Sequence, residues 1–124
     1  MSAAGLAICG RSIPSSRVGS DLIDAVSFGS LTCYLADGSG HGITAGVLMS
    51  MVKSAIRTSL SKGAPLVERM QRLNEVLFDL KEPGMFVTLA CLRSAGAGRP
   101  EYALAGHQPI RCNAARTGHR SVQF

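Results

Sequence analysis

The sequence predicts an α+β domain. Two observations carry the prediction: apolar runs of strand length lie towards both ends of the chain, and two consecutive stretches of helical period lie between them. Helices grouped together, rather than alternating singly with strands, belong with a mostly antiparallel sheet and not with βαβ units. With 124 residues, 46% of them apolar, the chain has material for one core and argues against disorder. Residues 1–113 are read as a single domain and residues 114–124 as a polar, basic tail without apolar period.

Taken in order, residues 6–9 (Leu-Ala-Ile-Cys) form a short apolar run, and Ile13-Pro14-Ser15-Ser16 interrupts it with turn chemistry. Residues 21–26 alternate roughly. Phe28-Gly29-Ser30 reads as a turn, and residues 31–36 as a buried strand. Over residues 43–60 the period becomes helical. Ile43, Val47, Met51 and Ala55 recur at four-residue steps, widened by Leu48, Val52 and Ile56, and this stripe is expected to face the core. Lys62-Gly63 ends that helix and Pro65 begins the next, whose face is Leu66, Met70, Leu73, Leu77 and Leu80. Glu82-Pro83-Gly84 closes it. Residues 85–92 read as a buried strand, residues 94–100 as a turn, and residues 101–105 and 110–112 as further strands around Gly106-His107-Gln108-Pro109.

Bulk properties exclude several classes. No apolar run approaches the ~20 residues of a membrane span, and residues 1–7 lack the pattern of a secretory signal, so a cytoplasmic protein is expected. The net charge of +5 is spread along the chain without aromatic interleaving, and there is no Trp. That does not suit nucleic-acid binding. Four cysteines, at 9, 33, 91 and 112, have no zinc-like spacing. Cys9, Cys33 and Cys91 fall in apolar segments and are expected to be buried, reduced thiols.

The chemistry concentrates in Gly19-Ser20-Asp21-Leu22-Ile23-Asp24 and Asp37-Gly38-Ser39-Gly40-His41-Gly42. Asp21 and Asp37 are sixteen residues apart, about the length of a hairpin. On adjacent strands their carboxylates converge, and two convergent carboxylates favour a hard divalent cation, Mg²⁺ or Mn²⁺. Glycine at 38 allows close approach, so the Gly38 carbonyl is a third candidate ligand. The plain alternative is a turn leading into a helix. Asp24 is read as an outer partner of the same site or as a solvated carboxylate. His107 is read as a turn residue.

Four segments in order carry a resemblance: Val18 to Asp24, Ala36 to Met49, Met85-Phe86-Val87-Thr88-Leu89 and Ala105-Gly106-His107-Gln108-Pro109. Over residues 7–112 the chain resembles the metal-dependent serine/threonine phosphatases of the PPM superfamily, in the branch similar to stage II sporulation protein E. The resemblance implies a β-sandwich of two antiparallel sheets flanked by helices, with metals at its end. It matches Asp21 to the aspartate of the family's Gly-Gly-Asp segment, with Ser20 in place of the second glycine. It matches Asp37 and Gly38 to the Asp-x-Ser-Gly-His-Gly segment. It implies catalysis centred on Asp21 and Asp37, a two-metal Mn²⁺ or Mg²⁺ site, and hydrolysis by a metal-activated water. The implied substrate is phosphoserine or phosphothreonine on a regulatory protein of the anti-sigma-factor-antagonist type. Arg11, Arg17 and His41 are the candidates for substrate phosphate. Family members continue beyond the Ala-Gly-His-Pro-like segment with two more metal carboxylates, whereas nothing after Pro109 here is Asp or Glu. The sandwich is therefore expected to be incomplete at its C-terminus. A second function follows as the alternative, a weakly active or inactive module that signals by protein–protein contact, with room for a homodimer through the two helices.

Overall fold

A computed structural model describes residues 2–3, 6–13, 18–60, 64–94, 100–109, 111–114 and 120–123, with backbone alone at 2–3, 6–7, 60, 111–114 and 120–123. The elements run β1 (Ser2–Ala3), β2 (Leu6–Ala7), β3 (Asp21–Ser27), β4 (Leu31–Gly38), α1 (Gly42–Leu60), α2 (Leu66–Leu80), β5 (Val87–Ser94), β6 (Glu101–Ala105), β7 (Arg111–Ala114) and β8 (Arg120–Gln123). The architecture is the α+β one that the sequence predicts. Its centre is a four-stranded antiparallel sheet ordered β3-β4-β5-β6. Two antiparallel ribbons, β1-β2 and β7-β8, make up the remaining described strands. The Lys62-Gly63 helix stop and most of the 94–100 turn lie outside the described residues.

The register explains which side chains reach the helices. Successive residues of a strand point to opposite faces, so Leu22, Asp24 and Val26 of β3 share a face with Tyr34 and Ala36 of β4. That face meets α1 and α2 in a core of Val26, Tyr34, Ala36, Leu48, Val52, Ile56, Leu66, Leu73, Leu77, Leu89 and Cys91, with Met49 and Ala103. Burying side chains of this size contributes roughly 1.5–3 kcal/mol each.

The structure corrects the inward stripe of α1. Leu48, Val52 and Ile56 are buried as expected, together with Ala45 and Met49, but Ile43 is 80% and Val47 53% exposed. The helix is apolar on most of its circumference, so two stripes compete, and the sheet takes the one containing the small Ala45. On α2, Leu66, Leu73 and Leu77 are buried and Leu80 is exposed. Cys33 and Cys91 are buried free thiols, but Cys9 is exposed, because it follows β2 rather than lying within it. Burial pushes the Cys91 thiol up to about 12, which leaves it inert as a nucleophile.

The α1–α2 junction is tied to the sheet by charge. The Leu66 N–H at the start of α2 donates to Glu101 Oε1 at 2.9 Å. This supplies from β6 the cap that Pro65 does not provide. Arg93 pairs with Glu101 and also donates to the Ala64 carbonyl at 2.8 Å. Arg69, only 6% exposed, donates to the carbonyls of Ala64 and Ser59 at 2.7 and 2.6 Å, so its buried guanidinium is satisfied by backbone.

Candidate metal centre

Antiparallel pairing sets Asp21, the first residue of β3, directly opposite Asp37 near the end of β4. Both are exposed at one end of the sheet, on the face opposite the helices. Burial raises the Asp37 carboxyl above the ordinary value, and the Asp21 charge and a hydrogen bond with Asp21 raise it further, while His107 partly offsets them. Like charges opposed across two strands are destabilising by themselves. The hairpin spacing thus brings together the two carboxylates that the sequence singles out.

Gly38 is buried next to this pair, and its N–H donates to the Ser20 carbonyl at 3.0 Å. A Cβ at Gly38 would lie 2.6 Å from Met49 Cε of α1, so glycine lets the helix approach the end of β4 closely. Beyond it, Ser39 is held from both directions by Phe86. The Ser39 N–H donates to the Phe86 carbonyl at 2.8 Å, and the Phe86 N–H donates to Ser39 Oγ at 2.8 Å. The chain then passes through Gly40 and Gly42, with φ of 92° and 72°, into α1.

The other candidates are placed differently. His41 is exposed just before α1, and the histidine whose charge acts on Asp37 is His107 instead. Arg11 lies exposed on the stretch 8–13, and Arg17 is outside the described residues. His107 is the residue that sequence reasoning undervalued. Leu89, next to the Asp37 partner Thr88, bridges to Gly106. A Cβ at Gly106 would stand 3.6 Å from Thr88 Cγ2. The half-buried His107 follows, with Nδ1 3.0 Å from the Gln108 carbonyl, so that nitrogen is the donor. The signal available was the Ala-Gly-His-Gln-Pro segment, which carries part of the resemblance while His107 itself is read as a turn residue.

Asp24 belongs neither to the metal centre nor to solvent. Three residues beyond Asp21 on the same strand, it points to the helix face. It accepts from Tyr34 Oη at 2.6 Å, from Arg57 Nε and Nη2 at 2.7 and 2.8 Å, and from the Ala25 N–H at 3.0 Å, with Lys53 Nζ 3.7 Å away. Burial pushes its carboxyl up, but the bonds from Arg57 and Tyr34 outweigh this and hold it down at about 2.

The fit to a divalent cation follows from these contacts. A cation between Asp21 and Asp37 would turn mutual repulsion into shared attraction. No cluster of three or more His, Cys, Asp or Glu converges on one point among the described residues. Asp21, Asp37 and the Gly38 carbonyl are the groups that would hold a divalent cation, with waters completing its shell.

Comparison with known proteins bears on the family of the chain. Residues 28–122 match the family model for stage II sporulation protein E (SpoIIE), a span that contains Asp37 and begins just after Asp21. Among solved structures, the RsbU and RsbW domains of Rv1364c from Mycobacterium tuberculosis share the fold, with a TM-score of 0.69 and 25% identity. The alignment covers 89% of this chain and 31% of that one, so the chain spans about a third of its neighbour's length. Motifs, topology and family match agree, and the chain belongs to the SpoIIE family of PPM-type phosphatases.

Proposed function

We propose that the chain supplies part of a divalent-metal-dependent phosphatase acting on phosphoserine or phosphothreonine of a regulatory protein, of the anti-sigma-factor-antagonist type. The observation that carries this is the cross-strand juxtaposition of Asp21 and Asp37, with the Asp37 carboxyl raised by burial and by its neighbour. Two carboxylates are held by backbone pairing and, among the described residues, neither forms a salt bridge with Lys or Arg as Asp24 does with Arg57, which suits a cation better than a structural ion pair. The neighbour's combination of RsbU and RsbW domains in one protein supports a setting of regulatory partners.

Asp21 and Asp37 would hold the ion, and the Gly38 carbonyl would complete the protein's share of its shell. When bound, Mg²⁺ or Mn²⁺ supplies a Lewis acid for phosphoryl oxygens and acidifies water for attack at phosphorus. Asp37 must be ionised to ligate, so its raised carboxyl makes binding weaken on acidification earlier than for an ordinary aspartate. Thr88 Oγ1 donates to the Asp37 carbonyl at 3.4 Å and the Gly38 N–H is held by Ser20, so the ligand loop is positioned by backbone contacts. Arg11, Arg17 and His41 are the groups proposed for substrate phosphate.

The test is calorimetric Mn²⁺ titration of the wild-type chain and Asp37→Asn, with phosphoserine-peptide hydrolysis followed in the same samples. Binding lost in the variant, with turnover in the wild type, supports the proposal. Equal affinity in both chains removes Asp37 from the site.

A second reading has its own observation. A groove of about 780 Å³ runs between α1 and α2, lined by Met51, Ala55, Thr58, Arg72, Val76 and Leu80 among others. Ile43 and Val47 lie exposed on the same helix, and Phe78 and Leu80 on the other. Such a surface suits a non-catalytic contact with a partner or a second copy. Sedimentation that shows a dimer disrupted by Val47→Glu, with Mn²⁺ indifference, would favour this module.

A further inference from the structure

We propose that Phe86 is a specificity-determining residue. Its ring forms an apolar platform beside the acidic pair and receives the side chain next to the phosphorylated residue of a polypeptide substrate. This rests on the phosphatase reading of the same site and adds what kind of sequence the site accepts.

A singly exposed apolar residue needs no explanation in general. Phe86 differs because its backbone is fixed on all sides while its side chain is 60% exposed. Upstream, Glu82-Pro83-Gly84-Met85 closes a turn in which the Met85 N–H donates to the Glu82 carbonyl at 3.1 Å, with φ of 83° at Gly84. Proline second and a positive-φ glycine third define a type II turn. Downstream, both backbone groups of Phe86 bond to Ser39.

Those bonds extend the β4–β5 register. Asp37 pairs with Thr88 and Gly38 with Val87, so Ser39 stands opposite Phe86. By the two-residue period, Phe86 shares a face with Thr88, Asp37 and Asp21. The Phe86 backbone is therefore set on the face of Asp21 and Asp37, two residues along the ladder from Asp37.

An aromatic ring on a fixed backbone offers contact area at small entropic cost. An apolar neighbour of the phosphoresidue gains contact with the ring, whereas an acidic neighbour would be desolvated there without a partner. Under the phosphatase reading the substrate is a phosphorylated polypeptide, and the occupant is the side chain flanking its phosphoresidue.

The experiment measures anisotropy of two fluorescein-labelled phosphoserine peptides in Mn²⁺, identical except for Leu or Asp after the phosphoserine. The wild-type chain should bind the Leu peptide about tenfold tighter. Phe86→Ala should erase that preference, Phe86→Leu should keep most of it, and Mn²⁺ affinity by calorimetry should be the same in all three. Equal binding of both peptides by the wild type, or a preference surviving in Phe86→Ala, overturns the inference and leaves the metal site standing. Self-association of the wild type that Phe86→Ala abolishes assigns the ring to a second copy and also overturns it. A Phe86-dependent preference without Mn²⁺ binding upholds the platform and removes the phosphatase reading.

Discussion

The two faces of the β3–β4 hairpin use the same residue type to opposite ends. On the helix face, Asp24 is saturated by Arg57, Tyr34 and a backbone N–H, and its carboxyl is held at about 2. On the other face, Asp21 and Asp37 oppose each other and Asp37 is raised. One carboxylate fastens α1 to the sheet, while the other two are kept together at a cost in stability. What separates them is three residues of strand, an odd step that changes the face. Paired charge marks structure here, and the opposed like charge is where we propose a cation.

The largest effect expected from breaking this contrast is on metal and activity. Asp37→Asn should lower Mn²⁺-dependent turnover of a phosphoserine peptide by about 100-fold or more, whereas Asp24→Asn, judged on the fraction of chain still folded, should retain Mn²⁺ binding by calorimetry. Comparable loss of metal in both variants would erase the distinction.

The next effect is on stability, with opposite signs on the two faces. Asp24 titrates in the folded chain at about 2 against 3.8 unfolded. It therefore contributes about 2 kcal/mol that is fully present above pH 4 and is lost as pH falls through 2. Asp24→Asn should lower Tm at pH 7 by roughly 5–10 °C and flatten the acid limb of the unfolding curve. Asp37 is raised, so its ionisation opposes folding in metal-free solution. Asp37→Asn at pH 7 without metal should leave urea stability unchanged or increase it, by at most about 1 kcal/mol.

The smallest effect sharpens the role of His107. Its charge lowers the Asp37 carboxyl. His107→Ala should therefore raise the apparent Asp37 pKa, read from carboxyl ¹³C shifts in metal-free protein, with little change in Tm. An unchanged titration would detach His107 from the site.

Much of this contrast was legible beforehand. The hairpin spacing brought Asp21 and Asp37 together, and the element order gave the α+β class because turn residues punctuate it clearly. The position of Asp24 was also readable, since residues 21 and 24 of one strand cannot share a face, yet the acidic cluster invited a single interpretation. The inward face of α1 was not readable. Ile43-Val47-Met51-Ala55 and Ala45-Leu48-Val52-Ile56 are both regular stripes, and only packing against Tyr34 and Ala36 selects the second. His107 escaped notice because its partner lies across two strand pairings, a tertiary relation that local chemistry does not encode.

The Glu101 bond to the first N–H of α2 has a consequence for how the chain is made. α2 is 15 residues long, marginal as an isolated helix, and the carboxylate at its N-terminus comes from 35 residues downstream of Leu66. During translation the helix sequence is complete by Leu80, and the ribosome must add 21 more residues before Glu101 exists. At typical elongation rates this is a delay of roughly one to four seconds. Until β6 has been made, α2 lacks this partner for its first N–H, and completing the cap requires the last strand of the four-stranded sheet.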